Sequence, residues 1–387
     1  MTRDVEYVAL GLGGIGSGAA YWLSRFAGAE VVALEQFELG HVRGESHDHT
    51  RIIRLSYHTP AYVELAKRAY DAWSVLEEES GETVVVKTGG LDLWPPDAAI
   101  PQADYAESMR VCGVPFDRLD AAAVRRRWPQ FHIDDGVDAL FQADGGFVTA
   151  QRATAEHQRM AREHGATLRD DAAVTEIRES GGEIDVVAGG ITYRCRKLVI
   201  AAGPWSNRAL GFFGMQLPLE VTKEQVVYFS PADAAPFARE RFPIWIWVDD
   251  PSFYGFPAYG DGVKVAQDAG GRSVDPDTRT FEPDPEALAR VLAFTERTLP
   301  GAFGAPSLVK TCLYTLTPDR DFVIDTLPGH PNVSIAIGAG HAFKYASVIG
   351  RILAELARDG TSVADISPFS LGRPILAQAS PERRYLV

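Results

Sequence analysis

The sequence predicts a two-domain α/β (α+β) protein: a Rossmann-like domain assembled from separated stretches, with an antiparallel or mixed sheet inserted into it. Gly11, Gly13 and Gly16 stand between an apolar run, Val5 to Leu10, and a helical stretch, Ile15 to Phe26, and Glu35 closes a second apolar run, Val31 to Leu34. The 387 residues, 46% of them hydrophobic, exceed the size at which a single core keeps growing, so two domains are expected. Aromatic-rich β-type segments from Leu217 to about Thr311 are then followed by another buried run, Val333 to Ile337, which returns to the first sheet.

In the opening unit each residue has a physical task. Gly11 permits the tight turn off the first strand, Gly13 lets the backbone approach a pyrophosphate, and Gly16 lets helix and strand pack closely. The helix beginning at Ile15 offers unpaired N–H groups and a positive dipole end to phosphates. Glu35, about 20 residues on, is placed to accept hydrogen bonds from ribose hydroxyls. An adenine dinucleotide is therefore expected, and this loop alone serves NAD or FAD equally well.

Gly40 to Arg54, crowded with Gly, Ser, His and Arg, reads as a loop, and Thr59 with Pro60 starts a helix carrying Tyr62, Val63, Ala66, Ala69, Tyr70 and Trp73 on its apolar face. Val84 to Lys87 and Leu91 to Trp94 read as short strands, and the stretch to about Ala143 has mixed periodicity. A helix over Ala150 to His164, a strand at Val174 to Ile177, a hairpin across Gly181-Gly182 and a buried strand at Lys197 to Ala201 follow. That last strand ends in Ala201-Ala202-Gly203-Pro204-Trp205, a second place where backbone meets the nucleotide; Val174, Gly203 and Trp205 are candidate contacts. Val226 to Phe229, Ile244 to Val248, Phe253 to Phe256 and Val263 to Ala266 make the inserted sheet, with a helix at Pro285 to Thr298. Gly338 and Gly340 then introduce a helix from about Phe343 to Arg358. The expected nucleotide domain is 1–85, 145–216 and 312–387, and the substrate domain is 86–144 and 217–311. A simple NAD domain finishes its sheet in one continuous segment, whereas flavoproteins commonly return to it late.

A formal net charge of −14 argues against nucleic acid or an anionic membrane as the main partner, since both call for clustered Lys and Arg. Small molecules are the expected partners, and a soluble monomer suits an acidic surface. No run approaches the 18 or so apolar residues of a membrane span, and the first strand begins too near Met1 for a signal peptide, so a cytoplasmic protein is expected. Cys112, Cys195 and Cys312 are far apart and show no metal-type pairing; reduced thiols and no metal site are expected.

Gly44-Glu45-Ser46-His47-Asp48-His49-Thr50-Arg51-Ile52-Ile53-Arg54, Tyr254-Gly255-Phe256-Pro257, Gly262-Val263-Lys264, Cys312-Leu313-Tyr314-Thr315 and Gly340-His341-Ala342-Phe343-Lys344 occur in one characteristic order. In this the sequence resembles the monomeric sarcosine oxidase and N-methyltryptophan oxidase family, within the glycine and D-amino acid oxidase superfamily, from the first strand to the tail. The resemblance implies FAD-dependent oxidation of a secondary amino acid to an imine that hydrolyses, with dioxygen leaving as hydrogen peroxide. It implies a covalent FAD joined through Cys312 to the 8α-methyl carbon, although a small thiol on a strand is usually just a buried residue.

The same resemblance makes Arg54 and Lys344 a clamp for the substrate carboxylate, which needs cations in a desolvated pocket. Arg51 and Lys264 match positions beside the flavin ring, where fixed positive charge stabilises the reduced flavin and its reaction with dioxygen. For Lys264 the plain alternative is a lysine alternating outward from its strand. His47, Tyr314 and Tyr254 match polar residues lining the amine pocket, and Thr50, Gly338, Gly340 and His341 match residues around the cofactor. Asp268 stands where the family has a histidine; it is placed to attract a cationic amine, pair with Lys264, or point away. Thr59 and Ala342 also depart from the family pattern. Trp245 and Trp247 share one face of a strand and either wall the pocket, suiting a larger or cyclic amine, or pack in the core. A dehydrogenase passing electrons to a quinone or protein, and a nucleotide-binding sensor without catalysis, are the rival functions.

Overall fold

The computed structural model describes residues 1–378 and 380–382, so the end of the expected last stretch, up to residue 387, lies outside the described residues. A six-stranded sheet runs in the order Thr167–Arg169, Val31–Leu34, Tyr7–Leu10, Lys197–Ile200, His330–Ile337, Val323–Leu327. Its first five strands are parallel, and only the hairpin partner Val323–Leu327 is antiparallel. Val31–Leu34 is buried along its whole length, the pattern of a parallel strand covered on both faces.

One cover is the helix pair Gly14–Ala27 and Ala346–Asp359. They cross at glycines: a Cβ on Gly350 would lie 2.4 Å from the Gly18 carbonyl carbon, so neither position has room for a side chain. The late return to the sheet expected from Val333 to Ile337 is thus present, as the outermost of the five parallel strands, between Lys197–Ile200 and the antiparallel Val323–Leu327.

The second sheet has nine strands and is mixed. Glu220–Phe229 pairs antiparallel with Gly262–Gln267 and with Pro306–Leu316, while Ile244–Trp247 runs parallel to Gly90–Trp94. Pro285–Thr298 lies against it, started by Asp284, whose carboxylate accepts from the Glu286 and Ala287 N–H groups. Trp245 and Phe253 stack on Phe294 of that helix, and Trp245 is fully buried. The two tryptophans therefore belong to the core beneath the helix; it is Ile246, between them, that faces the other side.

Two smaller sheets depart from the sequence reading. Val174–Ser180 and Glu183–Ala188 form the expected hairpin, but in a separate four-stranded sheet with Ile191–Cys195 and Thr2–Asp4. The segment read as a loop, Gly40 to Arg54, holds the strand Thr50–Ile53, paired with Gly146–Thr149. Between residues 97 and 143, where periodicity is mixed, lie two short helices, Gln102–Val111 and Ala121–Arg127, and two strands. Thr59 occupies the N-cap of Pro60–Ser80 without a side-chain cap hydrogen bond. No described helix is long and apolar enough to cross a membrane.

Candidate active site

Two cavities meet above the carboxyl ends of the parallel strands. The first, about 1450 Å³ out to its open mouth, is floored by Gly11 to Ile15 and flanked by Glu35, Val174, Gly203 and Trp205. The second, about 1020 Å³ on the same measure, is walled by Arg51, Arg54, Tyr254, Asp268, Tyr314 and Lys344. Ile15, Glu45, Ser46 and Gly338 line both, so the cavities share a wall and read as one elongated site.

The glycine loop is built as the spacing predicts. Gly11 has φ +93°, and a Cβ there would lie 2.3 Å from the Ala201 carbonyl oxygen; on Gly16 it would lie 1.9 Å from the Gly11 oxygen. Gly16 itself is off the cavity wall, behind the turn, where only its lack of a side chain matters. Glu35 ends its strand by accepting from the Leu12 N–H at 2.9 Å and the Phe37 N–H at 3.2 Å, which fixes its carboxylate on the cavity wall. Ser46 was not legible as a site residue, yet its Oγ accepts from the Gly14 N–H at 2.8 Å, tying the 40–54 segment to the helix start. A backbone turn open only to glycine, a helix N-terminus and a strand-end carboxylate fit the adenine and pyrophosphate portion of a dinucleotide.

In the second cavity Arg54 is 4% exposed and donates from Nη1 to Asp92 Oδ1 at 2.7 Å, with its guanidinium 4.9 Å from the Tyr57 ring centre. Its charge is already matched. Lys344 is half-buried on the same wall, 5.6 Å from the Tyr57 ring centre, and forms no ion pair with a carboxylate among the described residues. Burial holds its ammonium pKa below the ordinary value. Asp92 was missed in sequence, although an acid between two leucines on a buried strand, Leu91-Asp92-Leu93, is the kind of signal that marks a buried charge pair.

Asp268 resolves one open alternative. It pairs with Arg320 at 2.9 Å, not with Lys264, and both line the second cavity. Arg320 is 1% exposed and comes from a turn with φ +58°, which no sequence pattern announced. His341 Nε2 sits 2.8 Å from the Arg320 carbonyl oxygen, and burial holds this imidazole neutral, well below its usual pKa. Tyr254 and Tyr314 face the cavity with their phenols pushed upward by burial, so both remain protonated. Gly340 leaves room for the Tyr314 ring, since a Cβ on it would meet Tyr314 Cδ2 at 2.6 Å.

Four expected residues stand elsewhere. His47 lines the first cavity, not the amine pocket; Nε2 meets the Thr311 carbonyl at 3.1 Å, and burial pushes its pKa down to about 4, so it is neutral. Thr50 lines neither cavity and instead presents its carbonyl to Arg51 Nη1 at 2.9 Å and Lys264 Nζ at 2.8 Å. Lys264 is 2% exposed, bonded to Asp48 at 3.0 Å, and lies behind the wall, 4.0 Å from the ring centre of the cavity residue Phe256. The outward-alternating alternative is excluded, and of Lys264 and Arg51 only Arg51 reaches the wall itself. Cys312 is buried off both walls, next to residues that bond the lining: Thr311 to His47, Leu313 to Gly44 and Thr315 to Glu45. Burial pushes the Cys312 thiol up to about 12 against the opposing pull of Arg51.

Glu45, at the junction, accepts from the Thr315 N–H, and burial raises its carboxyl to about 7. Between the ordinary value of 4.5 and about 7 the native state holds a proton that the unfolded chain releases, so stability falls as pH rises through that interval. Glu45→Gln is expected to flatten that fall, read as Tm against pH; a variant whose Tm declines as steeply as the parent's would contradict the assignment.

Residues 6–356 match the family model described as FAD dependent oxidoreductase, DAO. The chain is 33% identical over 386 residues to monomeric sarcosine oxidase of Arthrobacter sp. (strain TE1826), covering 97% of this chain and 98% of the relative. It is 32% identical over 374 residues to N-methyl-L-tryptophan oxidase of Salmonella heidelberg (strain SL476), covering 95% and 98%. Among solved structures, NikD, an unusual amino acid oxidase essential for nikkomycin biosynthesis, superposes with a TM-score of 0.85 at 26% identity, covering 95% of this chain and 97% of NikD. The L-proline dehydrogenase of P. horikoshii shares the fold, with a TM-score of 0.82 at 22% identity over 96% of this chain and 97% of the other. With the dinucleotide cradle and the cationic second cavity in place, the chain belongs to the DAO family of FAD-dependent oxidoreductases.

Proposed function

We propose that the protein is an FAD-dependent oxidase of secondary, N-methyl amino acids, with sarcosine the reference substrate, producing an imine that hydrolyses to the amino acid and an aldehyde while dioxygen becomes hydrogen peroxide. The observation that carries this reading is Lys344: a half-buried ammonium on the wall of the second cavity, unmatched by any described carboxylate, beside an arginine whose own charge is balanced by Asp92. A cavity of that charge takes one carboxylate. Relatives named for sarcosine and for N-methyl-L-tryptophan supply the amine class. The reading further takes the protein to act as a cytoplasmic monomer, in keeping with relatives named as monomeric and with three unpaired thiols.

FAD, when bound, would supply the acceptor for the two electrons lost as the substrate's CH–NH unit becomes C=N, and would pass them to dioxygen. The chain supplies the rest. Lys344 neutralises the substrate carboxylate, and Arg54, held by Asp92, donates to it from a fixed position. Tyr254 and Tyr314, locked in the protonated form, offer hydroxyls to the amine end. Arg51 anchors the junction by donating to the carbonyls of Glu45 and His47 at 2.9 and 2.7 Å, which leaves its charge on the wall between the two cavities. Cys312 is assigned as the attachment point for the flavin 8α-methyl carbon. Acid precipitation of the purified protein is expected to keep the yellow colour in the pellet, and Cys312→Ala to release it into the supernatant. Colour lost from the parent pellet would remove the covalent assignment.

The function itself is tested by mixing the protein anaerobically with sarcosine or N-methyl-L-tryptophan and following flavin bleaching, then admitting air and assaying peroxide. Bleaching followed by stoichiometric peroxide is expected. No bleaching by either amine would overturn the substrate class, and bleaching reversed only by a quinone would make the enzyme a dehydrogenase.

A further inference from the structure

Asp48 lies outside both cavity walls, yet it is 4% exposed and collects more charge than any wall residue. Its φ of +87° is in the left-handed region, which asparagine and aspartate tolerate better than other non-glycine residues. In that conformation its carboxylate accepts from the Tyr228 hydroxyl at 2.7 and 2.8 Å, from Lys264 Nζ at 3.0 Å and from Lys310 Nζ at 3.2 Å, with Arg51 Nη1 3.8 Å away. Lys310 is shared on its outer side with Asp261, at 2.7 Å, which also meets His49 Nε2 at 2.8 Å. Lys264 has no such second acid; Asp48 is its one carboxylate partner among the described residues.

Lys264 and Arg51 donate to the same Thr50 carbonyl, so two cations sit side by side, Lys264 buried behind the wall and Arg51 on it. That arrangement is unstable without an anion between them, because a buried lysine otherwise sheds its proton. We propose that Asp48 is a positioning residue that keeps Lys264 protonated beside Arg51 and thereby fixes the positive charge presented behind the junction of the two cavities. The inference rests on the oxidase reading, in which that charge assists the reaction with dioxygen.

The groups facing Lys264 from each neighbouring element are Asp48 just before Thr50–Ile53 and Arg51 within it, Tyr228 on Glu220–Phe229, the Phe256 ring, and Cys312 on Pro306–Leu316. Burial draws Lys264 down to about 8; Asp48 is the strongest pull upward, and Arg51 pushes the same way as burial. Without the carboxylate, burial and Arg51 act unopposed, and the ammonium is lost at lower pH.

Asp48→Asn and Asp48→Gly remove the charge while keeping residues that accept a left-handed backbone, so a misfolded product is not the expected outcome. The holoenzyme is titrated by the absorption spectrum of its bound oxidised flavin, with Lys264→Met as reference, and flavin reoxidation by dioxygen is followed after anaerobic reduction across the same pH range. A spectral transition in the parent, absent in Lys264→Met and moved down by at least one pH unit in both Asp48 variants, is the expected result. One unit is a tenfold change in proton affinity; at about pH 8 the protonated fraction falls from about a half to about a tenth, so reoxidation by the variants should be roughly fivefold slower. An unchanged midpoint in both Asp48 variants, or a transition that survives in Lys264→Met, would overturn the proposal. If the reduced protein fails to react with dioxygen at all, the oxidase reading fails, while the spectral titration still decides the role of Asp48.

Discussion

Lys344→Met should lower kcat/KM for a secondary amino acid by about 30- to 5000-fold, the range set by the roughly 2–5 kcal/mol lost when one partner of a desolvated charge pair is removed. The reason lies in the charge balance of the second cavity. Arg54 is neutralised by Asp92 at 2.7 Å and Arg320 by Asp268 at 2.9 Å, whereas Lys344 has no carboxylate partner among the described residues. A substrate carboxylate entering the variant would therefore be desolvated against pairs that are already satisfied. Stopped-flow reduction of the flavin under anaerobic conditions separates the effect: a large rise in the substrate concentration for half-maximal rate is expected, with the bound flavin spectrum little changed. Equal kcat/KM in parent and variant would place the carboxylate elsewhere.

Gly16→Ala should yield protein without bound flavin. A Cβ there would lie 1.9 Å from the Gly11 carbonyl oxygen and 3.4 Å from the Ala201 Cβ, and the Gly11 backbone is held in its turn by its own N–H bond to the Leu34 carbonyl. The turn between Tyr7–Leu10 and Gly14–Ala27 would have to open, carrying with it the Leu12 N–H that fixes Glu35 and the Gly14 N–H that holds Ser46. The measurements are the ratio of flavin to protein absorbance and the Tm with and without added FAD. A variant that retains stoichiometric flavin would show that the close approach is relieved by a movement elsewhere.

The nucleotide half of the fold was legible because its signals are local. A glycine spacing, a strand-end acid and all-apolar strands each depend on a few consecutive residues, and Pro285–Thr298 is bounded in sequence by its own proline and cap. The hidden features depend on distant partners. Nothing near Arg320 reveals that Asp268, 52 positions earlier, will pair with it. Asp48 reads as one more polar residue in a loop until strands holding Tyr228, Lys264 and Lys310 converge on it. His47 followed the family pattern into the amine pocket, but the chain turns between it and Arg51, leaving one on each cavity. For the pair Trp245 and Trp247 the choice between pocket wall and core stayed open for a simpler reason: a shared strand face says that two rings point together, not which side is the core.

The order of strands in the parallel sheet has a consequence for synthesis. Lys197–Ile200 is bonded on one side to Tyr7–Leu10 and on the other to His330–Ile337, so its second edge stays open until nearly the whole chain has left the ribosome. Gly338, which lines both cavities, is delivered by the same late strand. An incomplete chain thus exposes an apolar strand edge of the kind that invites wrong pairing, and it has no finished cradle for its cofactor. Flavin capture is consequently expected only once that strand has paired, and truncation before residue 330 should give aggregation-prone, colourless protein in place of a smaller working domain.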